Sequence, residues 1–222
     1  MTSKSLRLSI DAIQSVSALL DAPAKPCACL TLAHGAGAGM THAFMADAAA
    51  GLAQRGVAVL RYQFAYMEKG SKRPDSPALA QAAVRAAVAM ARDRYPKLPL
   101  FAGGKSFGAR MSSQAQATEA MDGVAGLVFF GFPLHPAGKP GMDRAAHLKD
   151  VKVPMLFLQG SKDKLAELDL LKPVLRGLAK RATLHVFDEA DHSFHVPVRS
   201  GKTDAQVMQE MLDAAVQWMK AG

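Results

Sequence analysis

The sequence predicts an α/β fold, a mostly parallel sheet of about eight strands with helices on both faces. Three observations carry that expectation. Apolar runs of four to eight residues alternate with longer segments of helical period, and Gly and Pro punctuate the junctions in the same order throughout. The length of 222 residues, half of them apolar and 21% charged, suits a single α/β domain over 1–222. The same figures exclude a disordered chain and leave no room for a second sizeable domain.

The elements follow in order. Strands are expected over 6–10, 15–20, 27–33, 58–62, 98–102, 126–130, 155–159 and 183–187, and helices over 43–55, 78–94, 107–118, 167–180 and 204–220. The first two strands are too close to enclose a helix, so they should form an antiparallel edge. From there strand and helix alternate, as parallel crossovers require. Gly56 follows the first helix where a left-handed cap is expected, Pro96 and Pro99 close the Ala-rich second helix, and Pro154 opens a strand. The stretch 131–154 reads as a loop and a turn.

Charge and cysteine content narrow the function classes. The balance is 27 Lys+Arg against 19 Asp+Glu, or +8. Lys69, Lys72 and Arg73 cluster in one loop, but the other cations are scattered, and three Tyr and one Trp offer little for base stacking. No nucleic-acid partner is expected. No apolar stretch approaches the ~20 residues of a membrane-spanning helix, and Met1 to Ile10 lacks the apolar core of a signal peptide, so a cytoplasmic, membrane-free protein is expected. Cys27 and Cys29, two apart in an apolar run, read as reduced core residues on one strand face.

The sharpest motif is Gly104-Lys105-Ser106-Phe107-Gly108, between an apolar strand and a helix. That is the context of a nucleophile elbow, where a serine sits on a strained turn and small residues two before and two after let strand and helix approach. A serine hydroxyl needs a base, and the base needs an orienting group. Asp163 and His192 follow in that order, each just after a predicted strand, and strand carboxyl ends share one edge of an open parallel sheet. Asp188 and Asp191 are rivals for the carboxylate, although Asp191 is too close in sequence to His192 to bond its ring in plane. His34, His42, His135 and His195 also lie in loops.

His34-Gly35-Ala36-Gly37-Ala38-Gly39 follows another strand and leaves backbone N–H groups uncovered. Acyl transfer needs two donors aimed at a developing oxyanion. Phe107 and Ala36 are the expected pair, with Gly37 the alternate. The spacing does not fit a dinucleotide-binding glycine motif.

The small-residue loop, the elbow and the Asp-then-His order together resemble the α/β-hydrolase superfamily, and within it small cap-less bacterial serine hydrolases related to dienelactone hydrolase-like proteins. Dienelactone hydrolases use cysteine where this chain has Ser106, so lactone specificity is not implied. The resemblance implies a carboxylesterase-type serine hydrolase without a lid domain, cleaving small esters or thioesters. Ser106 would be the nucleophile, His192 the base and Asp163 its orienter, with no metal or organic cofactor. Met40, Arg61 and Phe132 are the expected substrate-binding residues, and a monomer or weak homodimer is expected. The segment from Arg61-Tyr62-Gln63-Phe64 to Pro74-Asp75 also resembles a branch that includes a subunit of the nonspecific-lethal chromatin complex. It supports an alternative reading, a catalytically idle fold used for protein interaction.

Overall fold

The computed structural model describes residues 3–221. Its centre is one sheet of eight strands: β1 (Lys4–Ser9), β2 (Ser15–Asp21), β3 (Ala28–Ala33), β4 (Val57–Tyr62), β5 (Leu100–Lys105), β6 (Val124–Phe130), β7 (Met155–Gly160) and β8 (Ala182–Phe187). The spatial order is β1-β2-β4-β3-β5-β6-β7-β8. β1 pairs antiparallel with β2, and β2 antiparallel with β4; every other pairing is parallel. The helices are α1 (Ala43–Gln54), α2 (Ala65–Glu68), α3 (Pro77–Arg94), α4 (Phe107–Thr118), α5 (Leu168–Gly177) and α6 (Asp204–Ala221).

The period of two along each strand sorts residues into two cores. In β3, Leu30 and Leu32 join the layer under α1 and α6, while Cys29 and Ala33 join the layer under α3, α4 and α5. Both faces of β3, β4 and β7 are covered, which is why these strands read as unbroken apolar runs. Fully buried Phe129, Phe130 and Phe157 sit mid-sheet, each contributing about 1.5–3 kcal/mol through burial. Ser76 accepts a hydrogen bond from the Leu79 N–H and Pro77 takes the first helical position, and this pair starts α3.

Several expectations need correction. Cys27 is exposed and lies just before β3, its thiol donating to the Gly56 carbonyl at 3.3 Å; Cys29 alone is a core thiol. Within 131–154 a 3₁₀ segment, Asp143–Asp150, packs on the fold through buried Ala145 and Leu148. The expected helix over 167–180 stops at Gly177, and a separate 3₁₀ turn, Ala179–Arg181, follows. Arg61 is not a surface cation. Its guanidinium bonds Asp21 at 2.8–2.9 Å and the Met40 carbonyl at 2.8 Å, a diagonal pair on one face of the β2/β4 ladder with 4% exposure. Among the described residues no helix is long and apolar enough to cross a membrane.

Candidate active site

Ser106 occupies the single residue between β5 and α4 with φ 52° and ψ −110°, a backbone state that costs a non-glycine residue about 1–3 kcal/mol. The strain is held from outside. A Cβ on Gly104 or on Gly108 would lie 2.4 Å from the Ala33 carbonyl oxygen, so β3 presses against both flanks of the turn. The Ser106 N–H is fixed to the Phe130 carbonyl at 3.2 Å. The elbow is thus clamped between the two neighbouring strands.

His192 stands in the β8–α6 loop with Nε2 at 2.8 Å from Ser106 Oγ and Nδ1 at 2.7 Å from Asp163 Oδ2. A carboxylate can only accept, so Nδ1 carries the proton and Nε2 is left to receive the serine hydroxyl's. Asp163 is buried in the β7–α5 loop, and its other contacts are donors: Gln159 Nε2 at 2.5 Å and the Leu165 N–H at 2.8 Å. Gln159 also accepts the Phe132 N–H at 3.0 Å, which ties this anchor to the end of β6. The rivals are engaged elsewhere. Asp191 accepts the N–H groups of Ser193 and His195, and Asp188 accepts the Ser161 hydroxyl.

Beside Ser106 the Phe107 N–H opens α4, where a helix has no internal partner for it. Across the turn the Ala36 N–H makes no hydrogen bond among the described residues, whereas the Gly37 N–H donates to the Tyr66 hydroxyl at 2.9 Å. His34 beneath this loop is buried and neutral: burial pulls its pKa down to about 4, Nε2 accepts the Phe64 N–H, and Nδ1 donates to the Gly35 carbonyl. Two hollows meet at Ser106. One, of about 280 Å³, is walled by Phe44, Met45, Leu165 and His192; the other, of about 470 Å³, runs past Phe107, Arg110 and Arg144.

The chain matches an alpha/beta hydrolase domain over residues 26–220. It belongs to that family. Solved structures share the fold across nearly the whole α/β-hydrolase chain. A lid-less α/β serine hydrolase from Xanthomonas campestris is 23% identical with a TM-score of 0.77, covering 98% of this chain and 95% of its own. A dienelactone hydrolase from Anabaena variabilis is 19% identical with a TM-score of 0.81, at 99% and 97% coverage. An α/β serine hydrolase homologue from Coxiella burnetii is 17% identical with a TM-score of 0.77, at 96% and 98%.

The structure brings Ser106, His192, Asp163, Phe107 and Ala36 of this α/β hydrolase together and leaves out the three expected substrate-binding residues. Met40 is 8% exposed, with its N–H on Gln63 and its carbonyl on Arg61. Phe132 is fully buried against Phe129 and Phe157. Arg61 is held in its core ion pair, away from both hollows. A second Ser–His contact, Ser113 Oγ to His147 Nε2 at 2.8 Å, differs in kind: Ser113 is buried inside α4 and also donates to the Arg110 carbonyl. Burial and the nearby Arg110 charge push the His147 pKa down to about 4, so this ring stays neutral. Among the described residues no group of three or more His, Cys, Asp or Glu is arranged to hold a metal.

Lys105 reads in the sequence as a cation near this edge suited to an anionic substrate group, and the structure engages it from within the fold. Its Nζ donates to the His192 carbonyl and lies 5.1 and 5.6 Å from the ring centres of Phe194 and Phe44, so the residue before Ser106 straps down the histidine loop. Burial lowers its pKa from 10.5 to about 8, opposed by the charges of Asp163 and Asp191. Between those values the unfolded chain holds a proton that the folded chain lacks, so this group's contribution to stability rises with pH across that window. Lys105→Met keeps the apolar stem and removes the titration. Its stability relative to wild type, read from urea midpoints, should therefore decline from about pH 7 to about pH 10; a difference independent of pH would contradict the assignment.

Proposed function

We propose that this chain is a serine hydrolase that cleaves small carboxylic esters or thioesters through an acyl-enzyme on Ser106. The observation that carries the reading is the unbroken hydrogen-bonded chain from Ser106 Oγ through the His192 ring to the buried Asp163 carboxylate. Ser106 Oγ attacks the carbonyl carbon as its proton passes to His192 Nε2, and the carbonyl π electrons move onto oxygen. Phe107 and Ala36 N–H groups receive that oxyanion, with Ala36 favoured over Gly37 because Tyr66 occupies the Gly37 N–H. The positive end of α4 adds to the same field. His192 then gives its proton to the departing alkoxide or thiolate, and a water repeats the sequence to release the acid and free Ser106. Asp163 stays ionised throughout and holds the imidazolium. No step draws on a cofactor.

The family membership and the lid-less fold support hydrolysis; the choice of ester or thioester rests on the site. A fluorophosphonate probe should label Ser106, detected as a mass increment on the peptide containing it, and Ser106→Ala should abolish the label. The protein-interaction alternative, with the exposed Lys69, Lys72 and Arg73 loop as contact surface, predicts an unlabelled serine in folded protein.

A further inference from the structure

The hollow on the α4 side of Ser106 holds two arginines that make no ion pair among the described residues. Arg110 lies one helical turn beyond the nucleophile, its N–H on the Ser106 carbonyl and its guanidinium 5.8 Å from the Phe107 ring centre. Its Nε is buried and has no hydrogen-bond partner. Arg144 comes from the Asp143–Asp150 turn and lines the same hollow. Among the described residues neither arginine is in an ion pair, whereas Arg7, Arg55, Arg61 and Arg92 each have a carboxylate. The one carboxylate in this hollow, Asp75, accepts the Tyr66 N–H at 3.1 Å. His147, beside Arg110, adds no negative charge.

Two guanidinium groups that line one hollow, each partly buried, repel each other, and the Arg144 charge adds to the effect of burial on Arg110. Both are held below the usual arginine range, first by burial. An anion between them would remove the repulsion, and planar guanidinium forks suit a carboxylate or phosphate. Ser106, Ala36 and Leu165 border both hollows, so an ester carbonyl at Ser106 sends one arm toward Phe44 and Met45 and the other toward the arginines.

We infer that the site selects esters or thioesters carrying an anionic group on one arm, received between Arg110 and Arg144. The inference rests on the hydrolase reading above. Two matched pairs of substrates test it: p-nitrophenyl hemiglutarate against p-nitrophenyl butyrate places the carboxylate on the acyl side, and 4-acetoxybenzoate against its methyl ester places it on the leaving side. One pair should show a preference of about tenfold or more in kcat/KM for the anion, the scale of a charge-assisted hydrogen bond. In Arg144→Gln the ratio should fall toward one, and in Arg144→Glu it should invert. Equal rates within both pairs, or a preference that survives Arg144→Glu, overturn the inference while leaving the hydrolase intact. A binding arm separates the two readings: monomethyl glutarate, but not the uncharged dimethyl glutarate, should raise the Tm of Ser106→Ala, and adding Arg144→Gln should remove the shift. Absence of that shift overturns the anion site even if no ester is turned over, whereas an unlabelled Ser106 with the shift present overturns only the hydrolase.

Discussion

Ser106→Ala is expected to lower kcat for p-nitrophenyl acetate by about four orders of magnitude or more, with the fold retained. The size follows from the wiring. In the proposed mechanism Ser106 Oγ is the atom that bonds to the substrate, and the His192 and Asp163 side chains, hydrogen-bonded to it in series, move and hold its proton. His192→Ala should cost a similar factor, and the double variant little more than either single one, because the three groups work as a unit. Independent, multiplying losses in steady-state assays would break that picture. The strained backbone supplies an internal control. Ser106→Gly should be as inactive as Ser106→Ala yet more stable by about 1 kcal/mol, because glycine adopts φ 52° without a Cβ clash. Urea unfolding of the two inactive variants side by side gives that difference.

Gly103→Val is expected not to fold. A Cβ at this position would fall 1.8 Å from the Val128 carbonyl oxygen and 2.8 Å from its carbonyl carbon, atoms of β6 backbone fixed by the parallel β5/β6 ladder. α4 closes the other side, where the Ser112 hydroxyl donates to the Gly103 carbonyl at 3.1 Å. No flexible side chain can yield, so the cost exceeds the ~3 kcal/mol upper end of ordinary overpacking. Expression should give insoluble protein, and Gly103→Ala should lose most of its Tm margin. Gly177→Ala serves as the contrast: nothing lies within 4 Å of its Cβ position at the end of α5, so it should be neutral or mildly stabilising. A soluble Gly103→Val protein with wild-type Tm would refute the packing argument.

The inner strands were readable because they are apolar runs bounded by Gly, Pro or polar residues, and the covered sheet makes those runs continuous, whereas the edge strands β1 and β8 are largely exposed. The elbow was readable because close packing leaves glycine as its trace at 104 and 108. The strand order was not, since β4 lies outside β3 through pairings between distant segments. Side-chain direction was lost for the same reason. Arg61 at a strand end reads as a cation near the sheet's working edge, and only the antiparallel approach of β2 shows that Asp21 takes it inward. Met40 and Phe132 sit in loops beside the motif, where no periodicity tells wall from core. Cys27 fell on the wrong side of a strand boundary by one residue. Lys105 was legible as a cation near that edge but not as a strap on the His192 loop, and Gln159 carried no signal, because their partners lie 87 and 4 positions away and become neighbours only in three dimensions.

The hydrogen-bonded relay is planted at the ends of β5, β7 and β8, so the ladders of one continuous sheet set its dimensions. The walls around it have a different origin: Phe44 and Met45 from the start of α1, Leu165 from a loop, Arg144 from a 3₁₀ turn. Reactivity and selectivity are therefore written on separable parts of the molecule. Libraries confined to 44, 45, 144 and 165 can retarget this scaffold while its reactive machinery is carried along unaltered.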